Sequence, residues 1–455
     1  MPVRIKGKIL IKGQIKCLSP VHVGSGKGKY SNSDIQLDAI GNPFIPSTSF
    51  IGVLRHAFEK YIFIEPELKP SFKDFWGYAE KENSQQSAIF SSDLTFLADK
   101  SPEVFIRDGI RIDNEKGIVQ EGGKFDFEVI ERESCFQFYI ELTYHEKNEI
   151  FVKATARTIY ELLKNQYIQI GAKTNSGFGK ICLLDQETTI YVFDFSKKMD
   201  VFYWLTQNFS QENVISLNAL GQPFDFPNRY FSIITRLKLK NSLIIRSYSR
   251  EPEMPDATQL KFKNDWVIPS SSLKGAIRAR AERIANTLEL KDAKKIIDEL
   301  FGNVDDEHRA KDAKKGKIQI EEITLEEGIF QTELQARIKV DRFTGGVIEG
   351  GLFDSMPIFA PSEESKKSII TLQIKVENYI KREAGLLLLV LKDLCSGNLA
   401  IGGEKNIGRG VFEGVDIEIS WDNEKIILER DFSKLSSDKK QELQGFIDAL
   451  LKESF

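Results

Sequence analysis

The sequence predicts an α+β protein made of two ferredoxin-like domains in tandem, each a βαββαβ unit with an inserted hairpin. Two observations carry this prediction. A strand–proline–serine–helix segment occurs twice, at residues 42–55 (NPFIPSTSFIGVLR) and residues 265–278 (DWVIPSSSLKGAIR), and Arg55 and Arg278 are 223 positions apart (278 − 55). The residues on either side of this segment also recur in the same order, so the sequence indicates an internal duplication of a whole domain.

Composition limits the class of protein. The 455 residues are too many for one ordinary core, and 41% hydrophobic with 29% charged residues is typical of a globular chain. The net charge of −4 argues against a general polycation that coats nucleic acid, so any nucleic-acid site must be local. The four scattered cysteines form no CxxC pair, which argues against a disulfide framework or zinc site and favours a reducing cytoplasm. No apolar run is long enough to predict a membrane helix.

The first half begins with a strand. Residues 8–17 alternate like a strand, a Gly- and Ser-rich loop follows, and the first proline–serine segment then enters a helix with apolar residues on one face. Proline restrains the residue before it, and serine is a favoured N-cap, so we expect a strand–turn–helix junction there. A strand at residues 135–143, a helix at 152–164 and a glycine loop leading into a strand complete the unit.

The second half repeats this order. FWGY at residues 75–78 matches LFGN at residues 300–303, and GAKTNSGFG matches GGEKNIGRG with Gly171 and Gly402 offset by 231 (402 − 171). The earliest matched strand is offset by 222, so the drift across the unit is small and loop insertions explain it. We therefore expect a first domain over residues 1–195, a linker over 196–228, a second domain over 229–420 and a C-terminal tail helix over 421–455.

These repeated segments resemble the RAMP superfamily of CRISPR-associated antiviral defence proteins. The IPSSSLKGAIR junction, the LFG after its helix, the VDRFTGG segment and the GGEKNIGRG loop all match, in order and twice, over roughly residues 8–415. Each half resembles the backbone subunit that polymerises along guide RNA in type III effector complexes, and two such units in one chain resemble the tandem-fused subunit of the III-D variety. The second half is the closer match, because the first has Ile51 where Lys274 stands in the second.

The resemblance implies RNA binding, and the residue types support it. Glycine loops let backbone amides approach phosphates, and lysine or arginine beside them pairs with phosphate oxygens. The predicted RNA contacts in the first half are His22, Ser47, Ser49, Arg55, Gly171, Lys173, Gly177 and Gly179. Those in the second half are Ser270, Ser272, Lys274, Arg278, Arg342, Phe343, Gly402, Gly403, Lys405, Gly408 and Arg409.

The resemblance also identifies two hairpins as the thumbs of the family, around Ile118 and around Arg342–Phe343. In relatives, these hairpins cross the guide–target duplex and unstack it, which an apolar side chain wedged between bases achieves. The alternative is that their apolar residues pack on a neighbouring subunit.

Catalytic relatives carry an aspartate in the loop between the first strand and the junction. At that position the resemblance suggests Asp34 in NSDIQL and Asp256 in PDATQL, and we equate the two on the similarity of DIQL and DATQL. RNA supplies its own nucleophile, the 2′-OH, so a carboxylate that orients hydrated Mg²⁺ (or another divalent cation) or acts as a weak base suffices. Asp38 and Asp265 are the reserve candidates, and an aspartate that only forms a turn is the alternative for each.

The expected function is that of a CRISPR effector backbone subunit in the cytoplasm. It binds guide crRNA, assembles with other type III subunits, and cleaves single-stranded target RNA as a metal-dependent endoribonuclease. No membrane partner is expected. Two alternatives stay open. One is a scaffold that holds guide RNA but cuts nothing in one or both halves, and the other is a guide-processing endoribonuclease relying on His22 or His56.

Overall fold

A computed structural model of the chain describes residues 4–26, 28, 31–80, 83–97, 103–113, 116–209, 211–226, 230–247, 255–303, 314–361, 368–422, 424–429 and 436–452. The chain forms two compact units. The first contains Met1–Gly109, Lys124–Thr174 and Phe178–Pro227, and the second contains Ile110–Gly123, Asn175–Gly177 and Asn228–Phe455. Within the predicted linker over residues 196–228, residues 210 and 227–228 lie outside the described part of the chain.

The first half of the chain holds twelve of the described strands and four of the described helices. The strands are β1 (Ile5–Cys17), β2 (Gly24–Gly26), β3 (Asp34–Ile35), β4 (Phe44–Ile45), β5 (Tyr78–Ala79), β6 (Ser84–Gln85), β7 (Ile89–Ser91), β8 (Leu94–Phe96), β9 (Val104–Asp113), β10 (Ile118–Ile130), β11 (Cys135–His145) and β12 (Ile181–Asp194). The helices are α1 (Ser47–Tyr61), α2 (Lys69–Trp76), α3 (Glu149–Lys164) and α4 (Lys198–Thr206).

The main sheet of the first unit is antiparallel. β1 lies between β11 and β12, and β7 and β8 pair with the far edge of β11. When the four strand positions of a βαββαβ unit are numbered by sequence, their spatial order is 4-1-3-2. The alternating burial along β1, with Ile9, Ile11 and Ile15 buried, places one face of the sheet against α1 and α3 in the core.

The second half contains the remaining described elements. The strands are β13 (Tyr230–Leu239), β14 (Ser242–Leu243), β15 (Arg246–Ser247), β16 (Ala257–Gln259), β17 (Lys261–Phe262), β18 (Asp265–Ile268), β19 (Gly302–Asn303), β20 (Lys314–Lys315), β21 (Ile318–Ile320), β22 (Ile323–Leu325), β23 (Gln331–Thr332), β24 (Gln335–Val340), β25 (Val347–Met356), β26 (Ile358–Phe359), β27 (Ile370–Glu377), β28 (Phe412–Trp421) and β29 (Glu424–Glu429). The helices are α5 (Ser270–Thr287), α6 (Ala293–Phe301), α7 (Lys381–Cys395) and α8 (Ser437–Leu451).

The second unit repeats the topology of the first. Its sheet has the order β21-β27-β13-β28-β29, so β13 lies between β27 and β28 as β1 lies between β11 and β12. The helices α5 and α7 pack their apolar faces on it, with Leu273, Ile277 and Leu387 buried. Both halves therefore contain the predicted ferredoxin-like arrangement, and the predicted fold class is confirmed.

The strand–turn–helix junctions occur where the repeated segment predicts them, but the helix caps differ from expectation. Both helices begin on the serine after the proline, so Pro46 and Pro269 occupy the N-cap position, and no side chain caps either helix. Proline suits this position because its φ is already near −65° and it has no N–H to satisfy. In α1 the amide of Ser47 instead donates to Oδ1 of Asp93, at 2.7 Å.

Three segments carry structure beyond the two predicted βαββαβ units. The predicted linker contains α4, whose Trp204 lies edge-on to Phe193 of β12, and its described part belongs to the first unit. The predicted tail begins with β29, which extends the second sheet before α8. A short helix, α2 or α6, ends on the first two residues of the FWG or LFG sequence in each half. No helix among the described residues is long and apolar enough to cross a membrane.

Candidate nucleic-acid interface

In each unit, four segments meet at one end of the sheet, and we call this place the loop junction. They are the segment after the first strand, the loop before the helix that follows the repeated proline, the base of the thumb hairpin and the glycine loop. We call that helix, α1 or α5, the junction helix, and the loop before it the pre-junction loop. In the first unit the four segments are residues 20–23, 31–36, 126–130 and the glycine-loop residues 170–174 and 178–179. Backbone hydrogen bonds join them: Ala172 N donates to His22 O at 2.8 Å, Gln36 N to Val23 O at 2.8 Å, and Glu128 N to Ser33 O at 3.0 Å.

The loop junction of the second unit is built by equivalent bonds. Gly403 N donates to Ile244 O at 2.8 Å, Leu260 N donates to Ile245 O at 2.9 Å, and Ala257 pairs with Ser355 of the hairpin in parallel register. The motifs are duplicated together because each one supplies a segment of the same loop junction. These bonds also give a residue-by-residue equivalence between the two halves that does not depend on sequence similarity.

Most of the predicted glycines are required by the fold. Gly171 and Gly402 have φ of +85° and +95°, and a Cβ at these positions would lie 2.4 Å from His22 O and 2.6 Å from Ile244 O. The later loop glycines Gly177, Gly179, Gly408 and Gly410 also have positive φ, whereas Gly403 does not. Gly408 differs from the others because it is exposed and an added Cβ there would have no heavy atom within 4 Å, so its surroundings are open to a ligand.

His22 is a buried structural residue. It is 4% exposed, its Nδ1 lies 2.6 Å from Glu128 O, and its Nε2 lies 3.1 Å from Ser33 Oγ. Because a carbonyl oxygen can only accept, Nδ1 donates to Glu128 O, and Nε2 is hydrogen-bonded to the hydroxyl of Ser33. Both ring nitrogens are thus engaged in joining three segments of the loop junction. The equivalent residue in the second unit is the buried Ile244.

The cation of the first glycine loop lies on aromatic rings. The Nζ of Lys173 is 4.6 Å from the centroid of Phe125 and 4.2 Å from that of Phe127. Phe178, from the end of the same loop, packs edge-on to Phe127. Burial lowers the pKa of Lys173. This lysine is half-buried and held by cation–π contacts within its own unit.

The second glycine loop replaces that aromatic cluster with ion pairs. Arg409 is 3% exposed, and it donates to Glu404 Oε2 and to Ser242 Oγ, both at 2.8 Å, and to Gln335 Oε1. Arg337 also donates to Glu404, at 2.8 Å. Burial by itself raises the pKa of Glu404, but these arginines outweigh burial and lower it. Lys405 is the exposed cation of this loop.

The two junction-helix arginines have the same structural role. Arg55 donates from NH1 to Gly77 O at 3.4 Å, and Arg278 donates from NH1 to Gly302 O at 2.8 Å. Each also bonds to a glutamate one turn later in its helix, at 3.2 Å and 2.8 Å. The arginine of the IPSSSLKGAIR motif therefore holds the glycine of the LFG motif, which explains why the two motifs occur together.

The remaining junction-helix residues are placed as follows. The amides of Ser49 and Ser272 donate to the carbonyls of Pro46 and Pro269 in the first turn, and both serines are partly exposed. Lys274 is 9% exposed, and within the second unit its Nζ donates to Asn175 O while Ser270 Oγ donates to Ser176 O. Burial, with the nearby Arg278 and Lys315, lowers the pKa of Lys274 to about 8.

The second thumb presents the predicted wedge to solvent. β24 and β25 form a hairpin whose turn carries Phe343, which is fully exposed, beside an exposed Arg342. Asp341 fixes this turn, because its Oδ1 accepts from the amides of Phe343 and Thr344 at 2.8 and 2.9 Å, and these bonds lower its pKa. The equivalent hairpin of β9 and β10 exposes Ile118 and Val119.

The structure corrects the equivalence of Asp34 and Asp256. The amide of Gln36 donates to Val23 O and its carbonyl accepts from Phe44 N, and Leu260 makes the same two bonds with Ile245 and Val267. Gln36 is thus equivalent to Leu260, an offset of 224 (260 − 36), and counting back two residues along the strand makes Asp34 equivalent to Thr258. The alignment of DIQL with DATQL is wrong by two residues.

Asp34 and Asp256 also have different surroundings. Oδ1 of Asp34 accepts from the amide and the hydroxyl of Ser31, at 3.1 and 2.7 Å, and a Cβ on Gly28 would overlap the carboxylate. Asp256 is exposed, and it exchanges hydrogen bonds with Asp354 at the base of the thumb: its amide donates to Asp354 Oδ1 at 2.8 Å, and its Oδ2 accepts from Asp354 N at 3.2 Å.

Asn32, Asp126 and Asp354 were not anticipated from the sequence. Asn32 and Asp126 exchange the same pair of backbone–side-chain bonds, each 2.9 Å, that Asp256 and Asp354 exchange in the second unit. A sequence signal existed, since Asp126 and Asp354 share the offset of 228 (354 − 126) found for the thumb-turn aspartates Asp113 and Asp341.

The reserve candidates differ in role. Asp38 forms a turn, accepting from the amides of Ile40 and Asn42 at 3.0 and 2.8 Å, and the backbone bond from Asn42 is the main reason that its pKa is lowered. Asp265 lies in β18, opposite Phe262 of β17. Among the described residues, no three His, Cys, Asp or Glu side chains form a group able to hold a metal ion by themselves.

Comparison with known proteins gives the family. A sequence model of the RAMP superfamily matches residues 14–182 and 236–413, one region in each half and well over half of the chain together. One similar solved chain comes from a structure described as "Type III-B Cmr-beta Cryo-EM structure of the Apo state", with 14% identity, coverage of 38% of this chain and 96% of that chain, and a TM-score of 0.32. A search of curated proteins found no match. With two matched regions in tandem, the chain belongs to the RAMP superfamily.

Proposed function

We propose that this protein is a subunit of a CRISPR effector complex that binds guide RNA along both units and presents it to complementary target RNA. In the narrower form, it is a tandem-fused backbone subunit of a type III, III-D-like complex that also cleaves the target. The observation that carries the proposal is the repeated loop junction, because each of the two RAMP regions joins a glycine loop, a pre-junction loop and the base of a thumb by equivalent bonds.

The groups that suit RNA are concentrated on the second unit. Lys405 is exposed in the glycine loop beside the open Gly408, where a phosphate can meet both a cation and backbone amides. Phe343 and Arg342 at the thumb turn offer an aromatic face and a guanidinium for stacking on bases. By contrast, the buried His22, Lys274 and Arg409 act on RNA only through the shape of the loops that they hold.

The carboxylate best suited to cleavage is that of Asp256. It is exposed, and it uses one oxygen to accept from Asp354 N. Target RNA brings its own 2′-OH nucleophile, so the protein must hold the sugar–phosphate backbone in line for attack and accept a proton or orient water. Asp256 is the group that would accept or direct that proton.

Magnesium fits this donor set only together with the substrate. Mg²⁺ is commonly bound by one or two carboxylates while keeping several waters and binding substrate phosphates. Asp256 and Asp354 supply two carboxylates on adjacent strands, and the described residues provide no group of three. These two aspartates would hold the ion, which when bound would offset negative charge at the phosphate.

A guide-processing endoribonuclease is less well supported. His22, its best candidate general acid–base, is buried with both nitrogens hydrogen-bonded, and His56 is on the exposed face of α1. A scaffold that does not cut remains the direct competitor, and cleavage assays separate it from the proposal.

The experiment that tests RNA binding is co-purification from cells that express the chain with its partner subunits and a repeat–spacer array. The proposal predicts that the bound RNA sequences as spacer-containing guides and that changing Lys405 to alanine weakens their binding. Recovery of the assembled complex without RNA, or with RNA unrelated to the array, would refute the proposal.

A further inference from the structure

The two loop junctions differ at one side chain that matters for chemistry. In the first, Asn32 and Asp126 exchange two hydrogen bonds between amide and side chain. In the second, Asp256 and Asp354 make the same exchange. The position that is aspartate in the second unit is therefore asparagine in the first.

Two independent sets of contacts fix this equivalence. The bonds of Gln36 and Leu260 give an offset of 224, and Asn32 and Asp256 are each four residues earlier in the chain, also 224 apart (256 − 32). The exchange with the thumb base gives the same pairing, and it uses residues from another segment of each unit. Exposure agrees as well, because Asn32 and Asp256 are both exposed while the residues two positions later, Asp34 and Thr258, are both partly buried.

The exchange of asparagine for aspartate changes charge without changing structure. Asn32 Oδ1 accepts from Asp126 N at 2.9 Å, just as Asp256 Oδ2 accepts from Asp354 N at 3.2 Å. The amide of Asn32 is neutral and is neither a base near neutral pH nor a ligand that Mg²⁺ favours over a carboxylate. The first junction thus keeps the geometry and lacks the ionisable group.

Asp34 does not replace the missing carboxylate. It lies two residues further along the strand, its Oδ1 is bonded to the amide and hydroxyl of Ser31, and its carboxylate packs against Gly28. The corresponding residue of the second unit, Thr258, has a hydroxyl that donates to Ser247 O at 3.3 Å, so that position serves the loop rather than a substrate there.

We infer that the duplicated sites have diverged, so that the second unit alone cuts RNA, through Asp256, and the first holds RNA at a site inactivated by Asn32. This inference rests on the proposed function. It implies that each copy of the chain makes one cut in a bound target, and that a single substitution, Asn32→Asp, supplies the group that the first site lacks.

The test is cleavage of an end-labelled complementary RNA by the assembled complex with Mg²⁺, comparing wild type with Asp256→Asn, Asn32→Asp and Asp34→Asn. Each of the first two variants introduces the residue that already occupies the equivalent position in the other unit, so we expect both to keep the fold. Target binding by gel shift verifies this. We expect Asp256→Asn to slow one cut by about 100-fold or more, a typical loss for a missing acid–base group. Asn32→Asp should add a new cut, and Asp34→Asn should change no cut position.

The outcomes separate the inference from the function beneath it. If Asp256→Asn removes one cut and Asp34→Asn removes a second, the chain is a nuclease with two active sites and the inference is overturned. If Asn32→Asp binds target normally but adds no cut, the claim that the first site lacks only a carboxylate fails. If no variant alters any cut, the catalytic part of the proposed function itself is wrong.

Discussion

Arg409 was predicted as an RNA contact, and its surroundings lead to a different and measurable expectation. It is 3% exposed and donates to Glu404, Ser242 and Gln335. In Arg409→Met the buried Ser242 hydroxyl loses this donor, and a buried polar group left unsatisfied costs about 1–3 kcal/mol, whereas Gln335 Oε1 keeps its bond from Arg337 at 3.2 Å. Glu404 retains Arg337 and Arg246. We therefore expect the free energy of unfolding to fall by about 1–3 kcal/mol, because Ser242 loses its donor while the Glu404 carboxylate stays paired.

The assay is equilibrium urea unfolding of the full chain followed by circular dichroism, with RNA binding measured on the folded variant. Lys405→Ala is the matched control, since Lys405 is exposed in the same loop and should change the free energy of unfolding by no more than about 0.5 kcal/mol. The two variants should affect different properties: Arg409→Met should lower stability, and Lys405→Ala should lower RNA affinity. An Arg409→Met chain as stable as wild type but weak in RNA binding would refute the reasoning.

Gly402, Lys405 and Lys274 give three further predictions. Gly402→Ala should lower the free energy of unfolding in urea by about 1–3 kcal/mol, because its φ is +95° and its Cβ would meet a backbone oxygen. Gly275→Ala, in open space on α5, should raise it by about 0.5–1 kcal/mol. Equal effects would contradict the assigned geometry. Lys405→Ala should reduce the slope of log K against log salt for single-stranded RNA by about 0.7, as expected for one lost phosphate contact, and an unchanged slope would remove Lys405 from the interface. Burial lowers the pKa of Lys274 to about 8, so between about pH 8 and 10 the unfolded chain binds more protons than the folded chain, and this group makes the free energy of unfolding rise with pH. Lys274→Met should lose this rise. Parallel profiles of unfolding free energy against pH for the two proteins would count against it.

The duplication made most of the fold predictable. Two copies of one strand–helix–strand order, with almost constant spacing, led to the ferredoxin-like arrangement that the sheets around β1 and β13 show. The short helices α2 and α6 were missed because FWG and LFG, as local patterns, indicate only a turn. Their glycines accept the bonds from Arg55 and Arg278, which is a contact that no local pattern reveals.

The pre-junction loop shows why spacing misled the assignment of the aspartates. Asp34 precedes Pro46 by 12 residues (46 − 34), and Asp256 precedes Pro269 by 13 (269 − 256). The backbone bonds show that the intervening turn is one residue shorter in the second unit, because Gln36 to Phe44 spans eight residues and Leu260 to Val267 spans seven. Similar letters at similar spacing therefore fell two residues apart along the strand. A shift of two keeps the side chain on the same face, but it gives Asp34 and Asp256 different neighbours, Ser31 and Asp354.

The cations could not be sorted by sequence either. Lys173, Lys405 and Arg409 all stand in glycine loops, yet one lies on phenylalanine rings, one is exposed and one is buried among polar groups. The difference depends on residues brought from the thumb base, namely Phe127 in the first unit and Gln335 in the second. Long-range contacts of this kind decide whether a loop cation is available to RNA.

The central claim is that the chain serves an RNA-guided effector. It is tested most directly by incubating the assembled complex and Mg²⁺ with two RNAs of equal length, one complementary to the guide and one scrambled. We predict that the complementary RNA is bound and cut at a fixed position within the paired region, while the scrambled RNA remains intact. Equal treatment of the two RNAs, whether both are cut or both are ignored, would contradict the account.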